Sequence, residues 1–408
     1  MSSGKSVSVL APRYLETFHC IGSRCEEACC KGWAISVDVK ALENYGKLKK
    51  TELSDLLEKS MEKPVTPVSD GFPGRIILDR DGACPLLDDA NLCRIHRDLG
   101  AEFLPLVCAT YPRSTNKIAD TFERSASVSC PEVARIALLN PAPMEFDQDD
   151  KGSVDRDIIR YTLLDDAVEQ LWLLRQFIFP LLQNRNFKIW ERLILLGLFC
   201  RKISGNEHPV QSVVEEYGKM ISSPEIKTEL ANIPVNISLQ ARLLTEIVLL
   251  RNTIDATSPT YNECFQSFLR GIHFSATLDP AELERNYRRA YVTYYQPAME
   301  SYEHVFENYF VNLAFKGVFP LADGNPVFDN YVKFALQYAL IKVLLVGLAA
   351  DDLALPFFFH SFAHAVSHAD TRAHADAGMQ TLQRFHIRQG ITADIAMDIN
   401  LVFFQSIK

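Results

Sequence analysis

The cysteines form the most chemically informative pattern in this 408-residue chain, because eight of the ten lie between residues 20 and 130. These eight are Cys20, Cys25, Cys29, Cys30, Cys84, Cys93, Cys108 and Cys130. Thiolates are soft ligands that suit zinc ions and iron–sulfur clusters. Four disulfides are disfavoured, because a cytosolic chain of this length neither keeps nor needs them. We therefore predict that the eight cysteines are the candidate ligands of a metal site, without assigning which of them bind.

The spacing of the eight cysteines favours iron over zinc. Successive cysteines are separated by four, three, zero, 53, eight, fourteen and 21 residues, so only the first two gaps suit the paired ligands of a structural zinc site. The adjacent Cys29 and Cys30 cannot easily reach one small ion, whereas a cluster offers several irons. Proline follows Cys84 and Cys130, as it follows the last cysteine of the bacterial ferredoxin motif. The pattern favours an iron–sulfur cluster, with zinc as the alternative.

Several other residues could do chemistry, but each also has a structural interpretation. His96 follows Cys93 by three residues and could replace a thiolate, although a hydrogen-bonding role is favoured. Three histidines recur every four residues and would share one helical face, where structural roles are again favoured over metal binding: His360, His364 and His368. Cys200 and Cys264 stand alone in apolar helical patterns, so we predict that they are core residues.

An aromatic and acidic stretch in the second half could bind an aliphatic ammonium ion. It contains Tyr287, Tyr291, Tyr294, Tyr295, Tyr302, Tyr309 and Phe310, together with Glu300, Glu303 and Glu307. Tyrosine faces attract a cation and carboxylates orient it. The favoured interpretation is nevertheless a helix core with a solvated acidic face.

The elements that position these residues differ between the two halves of the chain. Up to residue 140 the sequence is rich in turn signals, which predicts an irregular, cysteine-rich metal-binding domain. Residues 141–153 combine prolines with acidic residues and predict a linker. Residues 154–408 show helical periodicity, as in the series Leu239, Leu243, Ile247, Leu250 and Ile254. The predicted fold class is mainly α, with a multi-helix C-terminal domain that contributes a substrate groove.

Composition and charge exclude several classes of protein. The chain is 48% hydrophobic and 23% charged, which is typical of folded proteins, and its net charge of −9 argues against nucleic-acid binding. The N-terminus lacks the apolar segment of a secretory signal. The apolar run from Phe334 to Ala350 is interrupted by Lys342 and is too short to span a bilayer, so it predicts a buried helix. We expect a cytoplasmic protein that does not bind membranes, and no oligomeric state is predicted.

Short motifs around the cysteines resemble those of a known family. They are Cys20-x4-Cys25-x3-Cys29-Cys30-x-Gly32-Trp33, Cys84-Pro85-x-Leu87, Cys93-x-Ile95-His96 and Leu104-Pro105-x-x-Cys108-x-x-Tyr111-Pro112. This pattern resembles the zinc- or iron-chelating CxxCxxCC domain, although the first gaps are x4 and x3 where the name has x2. The second half is similar to the flagellin lysine-N-methylases in two motifs, Glu307-Asn308-Tyr309-Phe310-Val311-Asn312 and Phe319-Pro320.

The resemblance implies a bacterial enzyme that methylates lysine side chains of flagellin, with S-adenosylmethionine as donor and a [4Fe–4S] cluster as cofactor. No glycine-rich turn of the conventional donor site precedes a helix in this sequence. Transfer at neutral pH also requires a group that removes the proton of the substrate amine, and we assign this role to Tyr309 or Glu307. The alternative function is a non-catalytic protein that stores, delivers or senses iron or zinc.

Overall fold

The chain folds into two compact units in the computed structural model. The structure describes residues 6–351 except for residues 26–27, 34, 63–70, 206–207, 235–236, 242–248, 250–258 and 276. The first unit, called the cysteine unit below, comprises Met1–Val133 and Phe146–Thr162. The second, called the helical unit, comprises Ala134–Glu145 and Leu163–Lys408. The chain thus passes between the units more than once, whereas the sequence predicted a single crossing at residues 141–153.

Short strands and helices alternate through the first 163 residues. The strands are β1 (Val7–Pro12), β2 (Ile35–Val37), β3 (Met61–Glu62), β4 (Gly74–Ile76), β5 (Arg113–Ile118), β6 (Thr121–Ala126), β7 (Phe146–Gly152) and β8 (Ile159–Leu163). The helices are α1 (Tyr14–Thr17), α2 (Val39–Gly46), α3 (Glu52–Ser60), α4 (Arg94–Leu99), α5 (Leu106–Thr110) and α6 (Pro131–Leu138).

Two sheets give the cysteine unit more regular structure than the sequence predicted. A five-stranded sheet has the order β7-β1-β6-β5-β8, and a three-stranded sheet has the order β2-β4-β3. Strand β1 runs parallel to β6 and antiparallel to β7, while β5 and β6 form an antiparallel pair. Strands β5 and β6 are consecutive, but β1 pairs with β6 and β7, which lie more than 100 residues away, so no local hairpin signal marks β1.

The segment predicted as a linker contains strand β7. Pro12 lies opposite Phe146, and Leu10 lies opposite Gln148. Strand β7 is an edge strand with mostly exposed residues. Its acidic side chains, which suggested a solvated linker, are characteristic of a protected sheet edge. Polar composition alone therefore could not separate these two structures.

A small apolar core lies beneath the cysteines. Its fully buried members include Ile35, Val37, Leu57, Ile76, Leu86 and Ile95. These side chains come from β2, α3, β4, α4 and the loop after Cys84, so segments distant in sequence share one core. Cys84 belongs to this core, and Cys30, Cys93 and Cys108 pack against it, so the core brings these four cysteines to one region.

The helical unit confirms the mainly α prediction. Its helices are α7 (Asp166–Leu182), α8 (Ile189–Ser204), α9 (Val210–Ser222), α10 (Glu225–Asn232), α11 (Ile237–Leu239), α12 (Pro259–Gly271), α13 (Pro280–Ala290), α14 (Gln296–Lys316) and α15 (Val327–Ala350). A π-helical turn, Tyr291–Tyr295, joins α13 to α14. Most of the periodic series that begins at Leu239 lies outside the described residues.

Helix α15 is the central element of the helical unit. By length and composition it could cross a membrane, but 89% of its most apolar window is buried inside the protein. This agrees with the predicted buried helix. The helix crosses α12 where two glycines meet: a Cβ on Gly271 would lie 1.9 Å from the carbonyl oxygen of Gly347. Larger residues would force the two backbones apart, so the crossing requires glycine.

Candidate metal centre

Two loops of the same geometry present Cys84 and Cys93, and we call them the Asp–Cys turns (Asp79–Cys84 and Asp88–Cys93). In the first, Asp79 Oδ1 accepts backbone N–H groups two and four residues later, at 2.9 and 2.8 Å. In the second, Asp88 Oδ1 accepts the equivalent N–H groups, both at 2.9 Å. In both turns the cysteine is the fifth residue after the aspartate, and the aspartate side chain holds the backbone that leads to it.

Each Asp–Cys turn also needs one left-handed residue. The φ angle is +70° at Gly82 and +56° at Asn91, which occupy equivalent positions. Glycine and asparagine are the residues that adopt this conformation most readily. Beyond the turns, the Cys84 thiol accepts the N–H of Leu86, and the Cys93 thiol accepts the N–H groups of Ile95 and His96.

We expect Asp88→Ala to lower both the thermal stability of the cysteine unit and its metal content. The substitution removes the acceptor for two backbone N–H groups that shape the second Asp–Cys turn. The midpoint of thermal unfolding should fall by several degrees, and the bound metal per chain should fall with it. The exposed neighbour Asp89 gives the control Asp89→Ala, which should match the wild type in both measurements. Equal behaviour of the two variants would refute the role of the turn.

Backbone hydrogen bonds place three cysteines beside one another. The Cys84 N–H donates to the Cys30 carbonyl oxygen at 2.9 Å. The Arg94 N–H donates to the Leu86 carbonyl oxygen, also at 2.9 Å, which joins the second Asp–Cys turn to the first. Cys30, Cys93 and Cys108 pack against the same apolar core that contains Cys84. We call these four the inner thiols.

The other four cysteines form an outer group. Cys20 and Cys29 are exposed, while Cys25 and Cys130 are half-buried. Burial raises the pKa of Cys130 to about 12, and negative charge on Cys25, Cys29 and Cys20 raises it further. This electrostatic coupling shows that Cys130 lies close to the N-terminal cysteines, from which it is distant in sequence. We call these four the outer thiols.

Aromatic stacking connects the segments that carry both groups. The Trp33 and Tyr111 rings stack with centroids 6.2 Å apart. The Trp33 indole N–H donates to the Cys29 carbonyl oxygen at 2.7 Å, and the Tyr111 hydroxyl lies 3.2 Å from that of Ser129. The stack therefore holds the Cys29-Cys30 pair near the residues that adjoin Cys108 and Cys130.

Asp38 positions the helix that carries Cys108. One carboxylate oxygen accepts the N–H of Ala41 at 3.1 Å and caps α2. The other accepts the N–H of Leu106 at 2.7 Å, at the start of α5. A single side chain thus fixes the first turns of two helices, and with them the location of Cys108.

The inner thiols oppose one another's ionisation. Burial raises the pKa of Cys84 to about 11, with a further contribution from Cys93. Burial also raises the pKa of Cys108, and negative charge on Cys93 and Cys84 adds to the effect. The hydrogen bond from Cys30 lowers the pKa of Cys29 to about 7 and correspondingly raises the pKa of Cys30. Several thiolates this close together are favourable only with a cation that neutralises them.

The chemistry of the donors fits zinc or iron, whereas their positions do not complete a coordination sphere. In the described part of the chain, no three cysteine, histidine or acidic side chains are grouped closely enough to hold a metal ion. Eight free thiols in two neighbouring groups are nevertheless the ligand type that both metals prefer in thiolate sites. The geometry therefore does not choose between zinc and an iron–sulfur cluster.

Three other sets of residues were considered as possible ligands in the sequence. His96 is exposed on α4, and its backbone N–H donates to the Cys93 thiol. Cys200 and Cys264 are buried in the helical unit, as predicted for core residues. The histidine series His360, His364 and His368 lies outside the described residues.

Glu307 lies in a buried ion-pair network in the helical unit. One of its oxygens accepts Arg192 Nη1 at 2.7 Å, and Arg185 Nη2 donates to the other at 2.8 Å. Both Glu307 and Arg192 are almost fully buried. Arg192 also donates to the carbonyl oxygens of Leu182 and Phe187 at 2.7 and 2.8 Å. Because both carboxylate oxygens already accept from guanidinium groups, this geometry favours a structural role over the predicted removal of a substrate proton.

The aromatic stretch is divided between the core and the surface. Tyr287, Tyr295, Tyr309 and Phe310 are buried, whereas Tyr294 and Tyr302 are exposed. Tyr309, the other predicted proton acceptor, packs against Phe310 with ring centroids 5.0 Å apart. Lys342, which the sequence shows only as an interruption of the apolar run, lies fully buried with its side-chain nitrogen 5.0 Å from the Tyr291 ring centroid.

The two halves of the chain match two different family models. The model described as "FliB lysine N-methylase C-terminal domain" matches residues 175–375. The CxxCxxCC model, described as "Putative zinc- or iron-chelating domain", matches residues 19–131. The protein is thus mainly helical, and its N-terminal, cysteine-rich part matches a domain of the class described as zinc- or iron-chelating. No solved structure matches the chain.

Two relatives extend this comparison. The Lysine-N-methylase of Salmonella typhimurium (strain LT2) is 31% identical over 145 residues, which are 35% of this chain and 36% of that protein. The Flagellar biosynthetic protein FliU of Salmonella muenchen is 30% identical over 158 residues, which are 38% of this chain and 92% of that protein. The alignment thus spans just over a third of the length of the lysine-N-methylase. The chain belongs to the FliB lysine-N-methylase family.

Proposed function

We propose that the protein transfers methyl groups from S-adenosylmethionine to lysine side chains of flagellin in the cytoplasm. The observation that carries this proposal is the match of both units to the two domain models, together with the relative named Lysine-N-methylase. The name of FliU, a flagellar biosynthetic protein, supports flagellin as the substrate. The helical unit supplies tyrosines that suit a substrate ammonium ion, and the cysteine unit supplies thiols that suit a metal.

We propose further that the cysteine unit holds a [4Fe–4S] cluster, with zinc as the alternative. The support is the donor set: eight thiols, of which Cys29 and Cys30 are adjacent and cannot easily share one small ion. When bound through three thiolates, a cluster would supply an open iron that binds the amino and carboxylate groups of S-adenosylmethionine. The Asp–Cys turns and the Trp33–Tyr111 stack would hold the thiols in place.

The methyl transfer itself needs no radical. A neutral lysine amine attacks an activated methyl group directly, so the protein must align the nitrogen with the methyl carbon and remove the ammonium proton. Incubation of flagellin with the anaerobically purified protein should therefore yield S-adenosylhomocysteine without added reductant. Formation of 5′-deoxyadenosine in step with methyllysine, or strict dependence on a low-potential reductant, would contradict this mechanism.

We expect the ten cysteines to differ in their effect on metal content. Cys25→Ser and Cys29→Ser should lower the bound iron or zinc, because both lie in the thiol groups. Cys200→Ser and Cys264→Ser are matched controls that should retain the wild-type content, since both residues are buried in the helical unit. Elemental analysis of anaerobically purified protein, with sulfide determination, measures all four variants. Equal losses from all of them would indicate general unfolding and refute the assignment.

A further inference from the structure

The segment from the end of α6 to the residue two before β7 is held by side chains of the helical unit, and we call residues 138–144 the connector. Four of its backbone carbonyl oxygens accept hydrogen bonds from side chains, those of Leu138, Asn140, Pro141 and Met144. Asn308 Nδ2 donates to the first two at 3.4 and 2.8 Å. Arg185 Nη2 donates to the third at 2.7 Å, and Gln183 Nε2 donates to the fourth at 2.9 Å.

The donors of these hydrogen bonds belong to the core of the helical unit. Asn308 is 1% exposed and directly follows Glu307 in α14. Arg185 donates both to the connector and to the Glu307 carboxylate, the latter at 2.8 Å. A buried amide is costly unless it makes hydrogen bonds, so the Asn308 side chain favours the conformation in which the connector is in place. The connector and the buried ion-pair network therefore stabilise each other.

Helix α6 leads from an outer thiol to the connector. Cys130 directly precedes Pro131, the first residue of α6, and its thiol accepts the N–H of Val133. A side-chain acceptor for this N–H acts as a helix N-cap. Val133 ends the first segment of the cysteine unit and Ala134 begins the helical unit, so one continuous helix belongs to both. At its other end, Leu138 is the first residue of the connector.

The short length of α6 makes its two ends depend on each other. An isolated helix of only eight residues is marginal in water, because helix formation is cooperative. Its stability therefore comes from its end contacts and from its buried residues, which are Val133, Ala134, Ala137 and Leu138. Loosening of either end destabilises the whole helix.

We propose that α6 and the connector couple metal binding in the cysteine unit to the order of the helical unit. The inference rests on the proposed metal centre, with Cys130 among its ligands, and not on methyl transfer. Metal bound at Cys130 fixes the first turn of α6, while Asn308 fixes its last residue. Because the helix forms cooperatively, each contact favours the other, and the coupling acts equally in both directions. The network around Glu307 is therefore fully ordered only in the metal-loaded protein.

Hydrogen exchange read by mass spectrometry tests the coupling from the metal side. Anaerobically purified wild-type protein is compared with the same protein after a chelator has removed the metal, and the metal content of both samples is measured. We expect amide exchange in residues 134–145 to become at least about five-fold faster after metal removal. Helix α9 (Val210–Ser222) is the internal control and should exchange at an unchanged rate. Equal exchange of residues 134–145 in the two samples would overturn the inference.

The reciprocal measurement starts from Asn308→Leu, which removes two hydrogen bonds to the connector and keeps a similar side-chain volume. In competition with a chelator, the apparent affinity for the bound metal should fall by about five-fold or more. Asn330→Leu is the matched control, because Asn330 Nδ2 also donates to two carbonyl oxygens, those of Pro320 and Ala322, both at 2.9 Å. These carbonyl groups lie outside the connector, so Asn330→Leu should retain metal like the wild type. Wild-type metal affinity in Asn308→Leu would overturn the inference.

A milder variant keeps the test decisive if Asn308→Leu does not fold, which far-ultraviolet circular dichroism shows. Gln183 is only half-buried, and Gln183→Ala removes a single hydrogen bond to the connector. It should weaken metal retention in the same direction by a smaller factor, and wild-type retention would again contradict the coupling. If the wild type binds neither iron nor zinc, the proposed metal centre fails and the coupling fails with it. Metal binding without an effect on exchange refutes the coupling alone, and neither measurement depends on methyl transfer.

Discussion

Replacing Glu307 with alanine is expected to destabilise the helical unit by about 3–5 kcal/mol. Glu307 is 1% exposed and accepts hydrogen bonds from Arg185 and from Arg192, which is itself 2% exposed. Removal of the carboxylate leaves the Arg192 guanidinium buried without its counter-charge. The free energy of unfolding, measured by urea denaturation followed by far-ultraviolet circular dichroism, should fall by this amount.

Two comparisons show whether the lost stability comes from the uncompensated charge. Glu300 lies on the same helix and is exposed, so Glu300→Ala should remain close to the wild type. The double variant Arg192→Met with Glu307→Leu removes both buried charges and should recover most of the loss. A single Glu307→Ala variant within about 1 kcal/mol of the wild type would show that the buried ion pair contributes little.

The opposite sign is expected for Lys342→Met, which should stabilise the helical unit by up to about 5 kcal/mol at pH 6.5. The depressed pKa means that protonated Lys342 is held in the folded state at a free-energy cost. Methionine fills a similar volume and carries no proton to lose.

The size of this stabilisation should depend on pH in a defined direction. The unfolded chain binds the Lys342 proton up to its ordinary pKa of 10.5, whereas the folded chain releases it at about 7. The difference between variant and wild type should therefore be largest below pH 7 and shrink as the pH rises towards 10.5. All other titratable groups are present in both proteins, so their titration largely cancels in the comparison. Urea denaturation at pH 6.5 and 9.5 measures the change, and equal differences at both values would contradict the depressed pKa.

Sequence reasoning predicted the features that depend on local pattern. The helical periodicity after residue 154 and the apolar run from Phe334 to Ala350 both appear as buried helices. The clustering of the cysteines before residue 131 indicated a metal-binding unit, in agreement with the CxxCxxCC family match. A helix face is defined within a few turns of chain, and the cysteines can be located directly in the sequence, so neither feature requires knowledge of contacts between distant segments.

The features that sequence reasoning missed depend on contacts between distant segments. The acidic residues of strand β7 predicted a linker, because the sequence does not show that this segment pairs with β1, more than 130 residues away. Glu307 was predicted as a proton acceptor, because the sequence does not show that Arg185 and Arg192 donate hydrogen bonds to its carboxylate. The Asp–Cys turns were visible as two aspartates five residues before cysteines, but only the hydrogen bonds of Asp79 and Asp88 show that the spacing is structural.

Mass spectrometry of flagellin is the most direct test of the central claim. Purified flagellin is incubated with the anaerobically prepared, metal-loaded protein and S-adenosylmethionine that carries a deuterated methyl group. We predict labelled methyl groups on flagellin lysines, an equal amount of S-adenosylhomocysteine, and no labelling by metal-stripped protein. Unlabelled flagellin after incubation with the metal-loaded protein would contradict lysine methylation and leave metal storage, delivery or sensing as the function, whereas full labelling by metal-stripped protein would refute the role of the metal.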